Sequence, residues 1–123
     1  MSYEKNEDFF KTLEQWVEQN GITIDRPKDT PHPRFPNLIY LIDYGYINGT
    51  KSQDGSGIDL VKGDDESLKI VGIICSLDPV KKDSEVKVLL NCTEENIKTA
   101  MMMFNNHTMK GILLRRENSN LQT

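Results

Sequence analysis

The sequence has little of what marks membrane, secreted or nucleic-acid-binding proteins. Its 123 residues include two cysteines and one tryptophan, and 15 basic residues stand against 19 acidic ones, for a net charge of −4. No apolar run approaches the roughly 20 residues that a membrane-spanning helix needs, the longest being 38–42 and 71–75. Nucleic acids attract positively charged surfaces. We therefore expect a single domain whose partners include neither a membrane nor a nucleic acid.

The cysteines and the N-terminal segment bear on where the protein resides. Cys75 and Cys92 lie in or beside apolar runs, which favours two reduced, buried side chains over a disulfide or half of a metal site. Residues 1–8 are polar and acidic and contain no apolar core of a secretion signal. These features predict a cytoplasmic protein.

Apolar spacing predicts a helix near each end of the chain and short strands between them. Residues 7–20 carry an apolar face at helical spacing, and Thr93 is a favourable N-cap for a second helix. Six stretches have the character of strands: 22–24, 38–42, 58–61, 69–77, 85–90 and 110–116. The expected fold is mainly β (α+β), an antiparallel, barrel-like sheet of five to six strands with an N-terminal and a C-terminal helix packed outside. Residues 1–123 then form one domain, with the barrel at residues 22–116.

Four aspartates recur at one spacing beside the predicted strands. Asp54 and Asp59 are five residues apart across a glycine-rich turn, and Asp78 and Asp83 are five apart across a second turn. If both turns lie on one rim of the barrel, their carboxylates offer the oxygen ligands that Mg²⁺ prefers. Aspartate is also a common turn residue without any further role, so the spacing alone leaves both interpretations open.

A longer pattern surrounds the first aspartate pair. The chain reads Tyr-Leu-Ile-Asp-Tyr-Gly-Tyr-Ile-Asn-Gly-Thr over residues 40–50 and Asp-Gly-Ser-Gly-Ile-Asp over residues 54–59. In order, spacing and residue type, this resembles the signature region of the soluble (family I) inorganic pyrophosphatases, with its Tyr-Gly-Tyr/Phe-Ile element and its Asp-Gly-Asp-Pro-x-Asp turn. A weaker similarity covers residues 22–116. The chain is shorter than a typical member, chiefly between Asp25 and Tyr40 and before the last strand.

The resemblance implies a five-stranded OB-like barrel and the hydrolysis of pyrophosphate to two phosphates with Mg²⁺, or with Mn²⁺ in its place. It assigns the metal ligands to Asp54, Asp59, Asp78 and Asp83. The catalytic residues become Asp54, Asp59 and Tyr44, around a metal-bound water whose pKa the ions lower. Pyrophosphate or a related phosphoanhydride is the implied ligand, and the residues assigned to binding it are Asp25, Lys28, Arg34 and Tyr44.

The chain departs from the family pattern at positions that matter for catalysis. Ser56 stands where active members have the middle aspartate of the signature turn, which orients or deprotonates the water. Glu85 replaces a lysine and so reverses a charge, while Thr108 and Met109 align with a Tyr-Lys pair that holds a phosphate. Loss of a general base typically costs ~10²–10⁴ in rate. The resemblance therefore implies a weakened hydrolase or one with an altered substrate.

A second function stays open on the sequence, and a third is disfavoured. A non-catalytic homologue would bind metal, pyrophosphate or a nucleotide in a regulatory role. An OB-type nucleic-acid module would need stacking aromatics and a basic surface, and both are scarce here, with aromatics at 7%. A homo-oligomer is also compatible with the sequence, because Trp16 and the N-terminal helix suit an interface as well as packing within the domain.

Overall fold

The computed structural model describes residues 6–106 and 108–116, which form two helices and one sheet of six strands. In chain order the elements are α1 (Asn6–Asn20), β1 (Ile22–Arg26), β2 (Asp43–Ile47), β3 (Ile58–Lys62), β4 (Ile70–Asp78), β5 (Asp83–Leu90), α2 (Glu94–Met103) and β6 (Lys110–Arg115). Residues 1–5, 107 and 117–123 of the predicted domain lie outside this described part. Neither helix of the described part has the length and apolar character needed to cross a membrane.

The sheet is mixed and open, where the sequence predicted an antiparallel barrel. Its strand order is β1-β2-β3-β5-β4-β6. Every neighbouring pair is antiparallel except β3 and β5, which run parallel because β5 turns back from β4 and inserts between β4 and β3. Strands β1 and β6 are the two edges of the described sheet, so the strands do not close on themselves. The α+β class and the two outer helices are confirmed.

The apolar run 38–42 is not a strand, contrary to the prediction. Within the described residues it forms one isolated bridge, between Pro31 and Ile39. Backbone hydrogen bonds join Tyr40 to Asp29 and Thr30, and His32 to Leu38. The prolines in the facing segment have no N–H to donate, so this pairing does not extend into a ladder. Strand β2 starts after this run and contains the Tyr-Gly-Tyr element. A side chain at Gly45 would collide with the carbonyl oxygen of Thr23, so glycine is what lets β1 approach β2 closely.

Alternating side chains give the sheet two faces, each with its own core. The α1 face packs against Phe10, Leu13 and Val17 of α1 through these sheet residues: Ile47, Leu60, Ile70, Ile73, Val88 and Leu90. The α2 face packs Val61, Ile74 and Leu89 against Ile97, Ala100 and Phe104 at α2. Because neighbours along a strand point to opposite faces, these two sets fix the face on which every other strand residue lies.

The start of α2 is fixed to the segment that follows β3. The Asn96 N–H donates to Thr93 Oγ1 at 3.2 Å and the Thr93 N–H donates to Asn96 Oδ1 at 2.9 Å, which makes Thr93 the cap that the sequence predicted. The Asn96 side chain also binds Asp64, accepting from its N–H and donating to its carboxylate, both at 2.9 Å. These bonds orient α2 so that Phe104, at its far end, lies over the sheet.

Arg116 joins α1 to the sheet. Its side chain is 13% exposed, and its two terminal nitrogens donate to Glu7 and to Glu14 at 2.6 Å each. The nitrogen that meets Glu14 also donates to the Ile70 carbonyl oxygen at 3.0 Å. The guanidinium lies 5.8 Å from the centre of the Phe10 ring. One largely buried cation therefore holds two carboxylates of α1 and the start of β4 together.

Arg116→Met should destabilise the protein by about 2–4 kcal/mol, because it leaves the half-buried Glu14 without its cation. The matched control is Arg115→Met, since Arg115 is 55% exposed and pairs with Glu94 at the surface, where ion pairs contribute little. Urea unfolding followed by the fluorescence of Trp16 measures both variants. Equal losses of stability would contradict the role given to Arg116.

Candidate functional site

The α2 face of the sheet carries a row of charged side chains from β3, β4 and β5. Alternation along β5 places Asp83, Glu85 and Lys87 on this face. The strand registers set Asp59 of β3 opposite Lys87, and Asp78 of β4 opposite Asp83. Three of the four predicted metal ligands therefore share one face, together with a lysine.

Lys87 differs from the rest of this row because its side chain is 1% exposed. Its Nζ donates to Ser76 Oγ at 3.2 Å and forms an ion pair with Glu85. The ammonium also lies 4.8 Å from the centre of the Phe104 ring, a cation–π contact. Sequence analysis did not single out Lys87, although a signal was available: residues 88–90 are apolar on both faces, which is typical of a strand covered on both sides.

Asp59 and Tyr44 lie beside this lysine and share a hydrogen bond, which the Tyr44 hydroxyl donates. Burial and the charge of Glu85 raise the pKa of Asp59 to about 6, against the lowering effects of Lys87 and of the Tyr44 bond. Burial, followed by the charges of Asp59 and Glu85, raises the pKa of the Tyr44 hydroxyl well above its usual range. Tyr44 is therefore a neutral donor that orients the Asp59 carboxylate.

The turn before β3 contains Asp54 and Ser56. The Asp54 carboxylate accepts hydrogen bonds from Ser52 Oγ at 2.7 Å and from the Ser56 N–H at 3.0 Å. These bonds lower the pKa of Asp54, and the bond from Ser52 has the largest effect. Gly55 between them has a φ of +90°, a conformation that glycine adopts without strain. Asp54 thus shapes the turn, and its negative charge also acts on Asp59.

The β4–β5 hairpin uses Asp78 in a similar way. The Asp78 carboxylate accepts from the N–H groups of Val80 at 2.9 Å and Lys81 at 3.2 Å. A small cleft beside the hairpin is lined by Ser76, Asp78, Lys81, Asp83, Glu85 and Met109. Of the two departures predicted at this end of the fold, Met109 lies in the cleft and Thr108 is exposed next to it. The hairpin therefore brings a lysine to the same place as the carboxylates.

The segment that joins β1 to β2 brings further cations to this side of the sheet. A bulge in β1 sets Arg26, rather than the predicted Asp25, opposite Tyr44. Arg26 donates to the Tyr40 hydroxyl at 3.1 Å, while Asp25 is exposed. The predicted Lys28 is also exposed. Asp25 was assigned by the family resemblance alone, and nothing in the local sequence marks the bulge that brings Arg26 into this position.

His32 shows which charges surround this segment. Its ring stacks on Tyr40, with 6.0 Å between the ring centres and 10° between the planes, and its Nδ1 accepts the N–H of Arg34 at 3.0 Å. Burial lowers the pKa of His32, and the positive charges of Arg26, Arg34 and Lys81 lower it further. The charges of these three cations therefore act on one ring, and Lys81 also lines the cleft.

The donors do not form a resident metal site. Within residues 6–106 and 108–116, no group of three or more acidic, histidine or cysteine side chains is placed to hold a metal ion. Asp54 and Asp78 bind backbone N–H groups of their own turns, and Glu85 is paired with Lys87. In phosphate-processing sites Mg²⁺ is often bound by one or two carboxylates plus the phosphates themselves. The donor set fits a metal that arrives with a phosphate ligand, and does not fit one held by the protein alone.

Comparison with known proteins adds no relative. No protein-family model matches the chain, and no curated protein matches it significantly.

Asp59→Asn should stabilise the protein at neutral pH by about 1–2 kcal/mol, allowing for the screening of a partly exposed carboxylate. The pKa of Asp59 is about 6 in the folded protein against an ordinary 3.8, so between these values the folded state holds a proton that the unfolded state has lost. The negative charge on Asp59 therefore lowers the free energy of unfolding progressively from about pH 4 to about pH 6, and the full penalty applies above about pH 6.

Thermal unfolding at about pH 4 and about pH 7.5 measures this effect, because the gain from the amide should be small at the first and full at the second. A gain of equal size at both pH values would show that the amide acts through packing rather than through the charge of Asp59.

Proposed function

We propose that this chain is a pyrophosphatase-like domain that binds pyrophosphate or a related phosphoanhydride as its Mg²⁺ complex and hydrolyses it slowly, with Mn²⁺ able to replace Mg²⁺. The observation that carries the proposal is the meeting of opposite charges at the α2 face. Asp59 and Glu85 lie on β3 and β5. The cations are Arg26 at the end of β1, Arg34 in the segment that follows it and Lys81 in the hairpin. A metal–phosphate complex presents both signs of charge, so its recognition needs both kinds of side chain.

The position of each group suggests its part in binding. Arg26 and Arg34 can match phosphate oxygens with their planar guanidinium groups, and Lys81 adds a point charge at the cleft. On the other side, Asp59 and Asp83 present carboxylate oxygens to the cation of the substrate. Tyr44 keeps Asp59 oriented by its hydrogen bond. These roles need no metal ion bound before the substrate.

Slow turnover follows from Ser56. A serine hydroxyl does not accept a proton from water at neutral pH as a carboxylate does, and losing a general base typically costs ~10²–10⁴ in rate. The Ser56 side chain is exposed in a turn whose backbone Asp54 holds. The position can therefore take a carboxylate without a change in the fold.

An OB-like barrel remains our proposal for the fold. Its support is the run β1-β2-β3-β5-β4, a five-stranded set whose outer edges stay unpaired with each other, as in a partly open barrel. In the same way, a cytoplasmic location is proposed on the two cysteines, Cys75 and Cys92, which are both free.

Binding without turnover is the second candidate function, and two observations favour it. The signature turn has Ser56 in place of a carboxylate, and Glu85 is engaged by Lys87. A domain of this kind would bind pyrophosphate or a nucleotide together with its metal ion and act as a regulatory module.

Phosphate release from pyrophosphate with Mg²⁺ or Mn²⁺ separates the two functions. Ser56→Asp should raise the rate of the native protein by at least about tenfold, because it restores a carboxylate where a base acts. Asp59→Ala should lower the rate to background. If the native and Ser56→Asp proteins both release phosphate only at the background rate, the hydrolase proposal is wrong and the binding function remains.

Lys81→Met should weaken the binding of Mg²⁺–pyrophosphate by about tenfold, the usual effect of losing one hydrogen bond to a charged group. Lys82→Met is the matched control, because Lys82 is the next residue, is exposed and does not line the cleft. Isothermal titration calorimetry measures both affinities. Equal weakening would assign the effect to the overall charge of the protein instead of to the cleft.

A further inference from the structure

The charged row on the α2 face has a cation at its centre that belongs to the chain itself. Lys87 is 1% exposed, so its ammonium is shielded from bulk solvent. Its contacts are Ser76 Oγ at 3.2 Å, the Glu85 carboxylate and the Phe104 ring at 4.8 Å. Asp59 is its register partner on β3. The ammonium thus lies between residues of three adjacent strands and the end of α2.

Packing alone does not account for a lysine at this position. Taking an ammonium out of water costs several kcal/mol unless anions and hydrogen bonds offset it, and the next residues along β5, Val88 and Leu89, are fully buried apolar side chains. The carboxylates have the converse problem, since Glu85 and Asp59 lie on the same face and their like charges repel. The buried ammonium therefore needs the two carboxylates, and the carboxylates need the ammonium to offset their mutual repulsion.

We infer that Lys87 is the resident cation of this site and stands where a divalent ion would have to lie to contact Asp59, Glu85 and Ser76 together. A metal ion cannot share that space with an ammonium, and two cations side by side repel. The free protein should therefore bind neither Mg²⁺ nor Mn²⁺ at these three residues. A neutral side chain at position 87 should open a metal site with two carboxylates and a hydroxyl as donors.

The test is thermal unfolding of the native protein and of Lys87→Met with Mn²⁺ or Mg²⁺ alone, without phosphate. We expect the Tm of Lys87→Met to rise by several degrees at millimolar metal, because a ligand bound only by the folded state stabilises it. The native Tm should not change. Lys98→Met removes the same charge from an exposed position on α2 and should behave like the native protein.

Two results would overturn the inference: no metal-dependent shift in Lys87→Met, or a native shift of the same size. Adding Glu85→Gln to Lys87→Met removes one metal-binding carboxylate and should abolish the new rise in Tm. A rise that persists would place the metal elsewhere.

If Lys87→Met does not fold, Lys87→Gln replaces it under the same criteria, since the glutamine amide is neutral and still bonds to Ser76. Because no phosphate is present, these outcomes do not depend on whether the protein hydrolyses pyrophosphate.

Discussion

A buried ammonium group must be matched by negative charge and hydrogen-bond acceptors, because the interior of a sheet offers it no water. Lys87 imposes this requirement on the centre of the structure. Glu85 on its own strand, Ser76 on β4 and the Phe104 ring at α2 meet it directly, and Asp59 lies opposite on β3. These groups come together only if β5 runs between β3 and β4, so the strand order and the charge balance depend on one another.

Polar side chains set how the two helices lie on the sheet. Arg116 fastens α1 to the start of β4, and Asn96 fastens α2 to the segment after β3. Apolar packing supplies most of the stabilisation on both faces but is tolerant of small shifts. Hydrogen bonds of fixed geometry are less tolerant. The position of Phe104 over the Lys87 ammonium therefore traces back to the cap at the other end of α2.

Local patterns predicted the parts of this fold that local interactions determine. Helical spacing located α1 and the Thr93 cap of α2, and alternation along β4 and β5 was enough to bring Asp78 and Asp83 to one face. The run 38–42 misled because its buried members, Tyr40 and Ile42, resemble those of a strand, whereas its backbone pairs with the proline-rich segment only in an isolated bridge. An apolar pattern predicts which side chains are buried, but it does not predict which backbone groups form hydrogen bonds with each other.

The site was predictable only in part. Asp59 and Tyr44 lie together on neighbouring strands, and the roles that the resemblance implies for them stay predictions. Arg26 depends on a bulge and Lys87 on burial from both sides of the sheet, and each of these is a property of the assembled structure. The parallel contact of β3 with β5 is likewise set by the route of the chain, which no window of neighbouring residues reveals.

That parallel contact also orders the events of folding. The β4–β5 hairpin joins residues close in sequence, whereas β3 meets β5 only across the whole length of that hairpin, and such non-local pairings form more slowly. Asp59 and Lys87 face each other across this late contact. A chain whose β3 has not docked keeps the Lys87–Glu85 pair within its hairpin but lacks Asp59 beside it. A ligand that needs Asp59 therefore binds only the chain in which β3 has joined the hairpin.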